Sequence, residues 1–177
     1  HISHPTQGLL DLGTIKRNKK NFTNIKVAIL GDISHSRVTR SLYEGLQIMN
    51  TGKIILISPI EYKPDMSIFK SAAYTDNINQ GLKNADVVVT LRVQKERIKD
   101  KTQFLDTNEY YKDYGLTSKR LELCKKDAIV MHPGPMNRGV EIENIVADGP
   151  QSVITEQVTN GIATRMAILS IIENSVV

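Results

Sequence analysis

The sequence predicts an α/β fold, a doubly wound parallel sheet of Rossmann-like type with helices on both faces, flanked by an N-terminal and a C-terminal helix. Apolar runs at residues 25–30, 53–58, 86–91 and 127–131 are short, β-branched and continuous rather than alternating. That is the pattern of strands covered on both faces. Stretches of helical periodicity separate the runs, and a strand, helix, strand repeat means parallel strands with crossover helices. The runs also end abruptly, in Gly31-Asp32, Pro59, Arg92 and His132-Pro133.

Each element follows in order. After His4 the chain opens with Pro5, a favoured first-turn residue, and carries Leu9, Leu10, Leu12 and Ile15 before the basic stretch Lys16-Arg17-Asn18-Lys19-Lys20. That stretch reads as a solvated helix end, since no aromatics are interleaved to stack on bases. The first strand, 25–30, leads into a helix over 36–49 with Val38, Leu42, Leu46 and Met49 on one stripe. A strand at 53–58 is closed by Pro59, a helical stretch near 79–84 precedes the strand at 86–91, and the last strand is 127–131. Over 155–173, Val158, Ile162, Met166, Leu169 and Ile172 share one side, with Ala163, Ile168 and Ile171 beside them. So broad an apolar surface wants more cover than one sheet provides.

Composition bounds the chemistry. The 177 residues fit one domain with an appendage. A chain of this length buries roughly 70% of the surface it exposes when unfolded, so neither metal nor disulfide is needed. Hydrophobic residues at 40% and charged residues at 24% exclude a disordered chain and predict a soluble globular one. The net charge of +4 suits anionic small substrates and does not argue for nucleic acid. The single cysteine, Cys124, excludes an internal disulfide and a multi-Cys metal site, fits a cytoplasmic location, and reads as a buried inert thiol. No apolar run approaches the roughly 18 residues of a membrane span. The chain begins with His1 rather than Met, which reads as a processed or truncated piece.

In open parallel sheets ligands bind outside the carboxyl ends of the strands. The polar clusters fall there: Gly31-Asp32-Ile33-Ser34-His35-Ser36-Arg37, Arg92-Val93-Gln94-Lys95-Glu96-Arg97, and His132-Pro133-Gly134-Pro135-Met136-Asn137-Arg138. Arginines gathered at one rim suit carboxylate or phosphate, because the planar guanidinium gives two parallel hydrogen bonds. Taken singly, Arg37 and Arg92 read equally well as surface ion pairs. Gly31 lacks the further glycines of a dinucleotide fingerprint, which discounts NAD. His1 and His4 have no partners at metal-ligand spacing, so no metal is expected. His4-Pro5-Thr6-Gln7 places an imidazole and an amide at a helix start, where unpaired N–H groups favour an anion or a polarised carbonyl. The plain alternative is that His4 merely caps the helix.

Taken together, His4-Pro5-Thr6-Gln7, Gly31-Asp32 with Ser36-Arg37, Arg92 to Arg97, and the segment from His132 to Ile142 resemble the catalytic chain of aspartate carbamoyltransferases, in order and spacing. Ornithine carbamoyltransferases share His-Pro-x-Gln but resemble a different pattern at the last strand end, with Cys beside the histidine where this chain has Pro133. The resemblance covers the aspartate-binding half of a catalytic chain of about 300 residues; the phosphate loop and the lysine shared between subunits have no counterpart here. It implies a linking helix at 1–20 carrying the edge of the carbamoyl phosphate site, an aspartate-binding α/β domain at 21–152, and a C-terminal helix at 153–177 packing on the missing N-terminal domain.

The resemblance implies roles as well. His4 donates to the carbamoyl oxygen, Gln7 holds the carbamoyl amide, and backbone carbonyls of Gly134 and Pro135 accept from the carbamoyl nitrogen and the incoming amine. Arg37 and Arg92 clamp the carboxylates of L-aspartate with Gln94 assisting, and Glu96 orients Arg92. The implied reaction carries the carbamoyl group of carbamoyl phosphate to L-aspartate, a step of pyrimidine biosynthesis, with no cofactor. The implied partners are two further catalytic chains in a homotrimer, possible regulatory or dihydroorotase-type subunits, and neither nucleic acid nor membrane. The alternatives are a non-catalytic binding or scaffolding domain and an ornithine-type transferase.

Overall fold

A computed structural model describes residues 2–94 and 106–175. Strands β1 (Lys26–Leu30), β2 (Lys53–Ile57), β3 (Ala73–Thr75), β4 (Val87–Thr90) and β5 (Ile129–Met131) pair in the order β3-β2-β1-β4-β5. Every pairing is parallel. All but β3 lie on the apolar runs of the sequence. β3 was not expected because Ala73-Tyr74-Thr75 is a short, half-exposed edge with no apolar run to mark it.

Strand side chains alternate between faces, and continuous apolar runs therefore fill two cores. Val27 and Ile29 of β1 join Leu56, Val87, Val89 and Met131 on one face, beneath Ile15 of α1 (Pro5–Lys19) and Leu42 and Leu46 of α2 (Arg37–Ile48). Ala28 and Leu30 join Ile55, Ile57, Val88 and Val130 on the other, covered by Ile78 and Leu82 of α3 (Ile78–Leu82). Short helices α4 (Thr107–Tyr114), α5 (Ser118–Leu121) and α6 (Asn144–Ala147) follow, and Val146 and Ala147 of α6 complete the second core. The doubly wound architecture is thus as predicted. Cys124 is buried in the same core, and burial pushes its thiol up to about 11.

The last helix, α7 (Ile154–Asn174), lies against α1. Its apolar stripe does not meet the sheet: Val158, Ile162, Met166, Leu169 and Ile172 are between 55% and 68% exposed. The residues it buries are Ile154, Gln157, Asn160 and Gly161, a face that is polar at its centre. Hydrogen bonding to α1 selects this face: Asn160 Nδ2 donates to Thr14 Oγ1 at 2.9 Å and Arg17 donates to Asn160 Oδ1 at 2.6 Å. No described helix is long and apolar enough to cross a membrane.

The carboxyl ends of β1 and β4 are drawn together. Leu91 N–H donates to Leu30 O at 2.8 Å, and Gly31 N–H donates to Ile57 O at 3.0 Å. Gly31 has φ +133°, and a Cβ there would lie 2.7 Å from Leu91 O. Both the backbone conformation and the close approach require glycine. Gly31→Ala should therefore lower stability by about 2 kcal/mol or more. The expected sign is a lower urea midpoint with an unchanged m-value; an unmoved midpoint would show that the contact relaxes at no cost.

Candidate active site

A cavity of about 220 Å³ opens at this end of the sheet, lined by His4, Gln7, Ser36, Arg37, Arg92, Gln94, Gly134 and Pro135 among others. The chain brings four separated segments to one place, at the switch point of the strand order where open α/β sheets bind ligands. All the site residues expected from sequence line it except Glu96, which lies outside the described residues. Arg138 does not: it is exposed and forked onto Asp148, at 2.6 and 2.7 Å.

Each wall has a local cause. Pro5 opens α1, and the backbone N–H groups of Gln7 and Gly8 both donate to His4 O, at 3.0 and 3.1 Å. The imidazole makes no capping bond to the helix, so the plain role of a cap does not hold. Its own backbone N–H donates to Ser41 Oγ of α2 at 2.9 Å, which anchors the turn. Burial, then Arg37 and Arg165, push the imidazole below its ordinary range. The shift favours the neutral ring, and of its two tautomers the one in which Thr6 Oγ1 donates to Nδ1 at 3.4 Å leaves an N–H on Nε2.

Arg37 is the first residue of α2, whose cap Ser36 accepts from Thr39 N–H at 3.2 Å. No carboxylate among the described residues pairs with it. The loop after β4 is held by Asp32, a fully buried carboxylate. Asp32 Oδ2 accepts from Gln94 N–H at 3.1 Å, while Oδ1 accepts from His35 N–H at 3.3 Å and lies 2.7 Å from His35 Nδ1. Gln94 Nε2 donates to His35 O at 3.3 Å, which leaves the amide oxygen of Gln94 for the cavity.

The loop after β5 is braced by His132. Its Nδ1 accepts from Gly134 N–H at 2.9 Å, so its proton sits on Nε2, 3.2 Å from Glu141 Oε1. Gly134 has φ +69°, the Gly134–Pro135 bond is cis, and Pro133, Gly134 and Pro135 line the cavity. Behind the site, Asp11 of α1 is completely buried. Its Oδ1 accepts from Gln7 Nε2 at 2.9 Å and from Gln157 Nε2 at 2.7 Å.

Sequence reasoning gave no role to Asp11, Asp32, Glu141 or Gln157, none of which lines the cavity. Gln7, Asp11 and Thr14 do recur at helical spacing, and a polar stripe on the buried side of a helix was the available signal. A larger hollow of about 490 Å³, lined by Leu121, Cys124, Lys125 and Val146 among others, brings no comparable groups together. Its thiol is held protonated by burial and its Lys125 is committed to Asp86 at 2.7 Å.

The profile of the aspartate/ornithine carbamoyltransferase family, Asp/Orn binding domain, matches residues 23–172. The chain belongs to this family. It is 51% identical over 172 residues to the aspartate carbamoyltransferase catalytic subunit of Ruthia magnifica, covering 97% of this chain and 53% of that one. The same subunit of Vesicomyosocius okutanii gives the same identity and coverage. The chain thus spans about half the length of the curated relatives it matches. Among solved structures, aspartate transcarbamoylase from Trypanosoma cruzi in complex with phosphate superposes with TM-score 0.81 at 28% identity, over 94% of this chain and 56% of that one. Ornithine carbamoyltransferase from Pyrococcus furiosus gives TM-score 0.81 at 25% identity, over 96% and 56%. His4 and Gln7 precede the matched residues of the family domain yet form one wall of its cavity.

Burial pushes the Asp11 carboxyl up to about 7, against the opposing pull of its hydrogen bonds from Gln157 and Gln7. The unfolded carboxyl ionises near pH 4, so between about pH 4 and 7 the folded state holds more protons than the unfolded one and stability falls as pH rises. Asp11→Asn removes the titration. Its stability relative to the unsubstituted protein should grow as pH rises through that window, in urea unfolding run at several pH values. A difference independent of pH would contradict the assignment.

Proposed function

We propose that this chain is the aspartate-binding half of an aspartate carbamoyltransferase and supplies most of the transfer site. The observation that carries the proposal is the convergence of Arg37 and Arg92 on one small cavity with His4, Gln7 and the Gly134-Pro135 backbone. Two guanidinium groups favour a dianionic acceptor over ornithine, which carries two ammonium groups, because like charge repels and each Arg fork fits a carboxylate. The fold alone does not separate the two, since structures of both kinds superpose equally well. The 51% identity to aspartate carbamoyltransferase catalytic subunits favours aspartate.

In the proposed reaction the α-amino nitrogen of L-aspartate attacks the carbonyl carbon of carbamoyl phosphate. An oxyanion forms, the bond from that carbon to the bridging oxygen of the acyl phosphate breaks, and phosphate leaves as the amine loses a proton, giving N-carbamoyl-L-aspartate. A neutral His4 with its proton on Nε2 donates to the developing oxyanion, an interaction typically worth about 10² to 10³ in rate. Gln7 accepts from the carbamoyl NH2, and the carbonyls of Gly134 and Pro135 accept from the carbamoyl nitrogen and the attacking amine. Arg37 and Arg92 grip the aspartate carboxylates, with Gln94 assisting and Glu96 orienting Arg92.

The remaining parts of the proposal concern assembly. Residues 1–20 link to a carbamoyl phosphate domain, 21–152 bind aspartate, and the uncovered apolar face of α7 packs on that other domain. The assembly is a cytoplasmic homotrimer of catalytic chains, open to regulatory or dihydroorotase-type subunits. The 177-residue chain assayed alone should then show essentially no carbamoyl transfer, and activity should appear once the carbamoyl phosphate domain is joined to it. Robust turnover by the chain alone would defeat this division of labour; no turnover in the joined protein would favour a binding module.

Arg92→Lys keeps the charge and loses the fork. In the joined protein kcat/KM for aspartate should fall roughly thirtyfold, about 2 kcal/mol at about 1.4 kcal/mol per decade. A change within about twofold would mark Arg92 as an ordinary surface ion-pair residue. Preference for ornithine over aspartate in the unsubstituted protein would overturn the acceptor assignment.

A further inference from the structure

We propose that Asp11 is a positioning residue of this site, fixing the direction of the Gln7 amide and tying α1 to the loop after β5 through Gln157. The inference rests on the transfer reading above and names a part of the machinery that touches no substrate.

The hydrogen bonds run without a break from one wall of the cavity to the other. Gln7 Nε2 donates to Asp11 Oδ1 at 2.9 Å, and Gln157 Nε2 donates to the same oxygen at 2.7 Å. Gln157 Oε1 accepts from His132 N–H at 3.0 Å, and His132 Nδ1 accepts from Gly134 N–H at 2.9 Å. Gln7, Asp11, Gln157 and His132 are all buried, so each bond forms in a low-dielectric interior where it is strong and its loss is costly.

The chemistry of the central group sets the direction of the rest. An amide can be placed either way round, but Asp11 Oδ1 accepts only, so both glutamines must turn their NH2 groups toward it. Protonation does not change this: the proton of the neutral acid would reside on Oδ2, which has no hydrogen-bond partner among the described residues. Gln157 is thereby left with its oxygen for the His132 N–H. Gln7 is left with its oxygen for the cavity, which makes it an acceptor for a substrate N–H such as the carbamoyl NH2. Stability alone does not account for a carboxylate here, because a buried oxygen without a partner is destabilising and an apolar side chain would avoid it.

The test is a double-mutant cycle between Asp11 and Gln7 in the protein joined to its carbamoyl phosphate domain. Asp11→Ala should lower kcat tenfold or more while changing aspartate KM less than threefold, since the arginines are untouched. Asp11→Asn, which keeps an accepting oxygen, should recover most of that loss. Gln7→Ala should cost much less in the Asp11→Ala background than alone, because a misdirected amide has little left to lose. Thermal unfolding of each variant separates folding from function. If Asp11→Ala does not fold, Gln157→Ala in place of it cuts the connection to His132, and the same cycle with Gln7 is read.

Unchanged kcat in a folded Asp11→Ala protein, or additive losses across the cycle, would overturn the inference and leave Asp11 as a structural residue. Normal turnover in the unsubstituted protein keeps the transfer reading intact in that case. Absence of turnover there would remove the transfer reading first, and the inference with it.

Discussion

The site depends on the parallel pairing of β1 with β4. Their register places Leu30 opposite Thr90, so the two strands end level and deliver Gly31-Asp32 and Leu91 through Gln94 side by side. A slip of one residue would send every side chain to the opposite face and would part these two ends. The glycine permits the approach, and Asp32 then exploits it, holding the loop after β4 through Gln94 N–H. An arginine on a flexible stem becomes a directed group only because the backbone beneath it is tied down in this way. The same logic applies at β5, where His132 ties Gly134 back onto the strand end.

A second constraint lies in the join of α1 and α7. Helices usually meet through apolar ridges, whereas here the buried contact carries Asp11, Thr14, Gln157 and Asn160, with Arg17 at its edge. Polar contacts of this kind are directional, and they hold one rotation and one register where an apolar seam tolerates several. The cost is a demand for complete satisfaction, which Asp11 Oδ2 does not meet among the described residues. Turning this polar stripe inward leaves the apolar stripe of α7 on the outside, so the join that supports the cavity also determines which surface remains uncovered.

Much of this was legible in the chain. Strands buried on both faces announce themselves as unbroken runs such as Val27 to Leu30, and clusters of Arg, His and Gly at their ends mark where loops converge. Every expected ligand-facing residue within the described chain lines the cavity, because side chains that face a ligand come from short motifs at predictable strand ends. The supporting groups were not legible, since support acts through tertiary contact. Asp11 and Gln157 lie far apart in sequence and meet only through packing, and nothing in either motif names the other. The α7 face was legible only in part: the stripe of Val158, Ile162 and Met166 reads as wanting cover beyond the sheet and is exposed, but only the partners of Gln157 and Asn160 show which side of the helix meets α1. The edge strand β3 escaped notice because Tyr74 and its neighbours are half-solvated and carry no periodic signal.

The thiol of Cys124 gives the domain one slow chemical reporter. The thiolate is the form that attacks alkylating reagents, and a thiol pushed up to about 11 supplies almost none of it at neutral pH while it remains packed between the sheet and α6. With a single cysteine in the chain, the labelling rate therefore reports on one place, the edge of the second core where Cys124 lines the hollow beside α5 and α6.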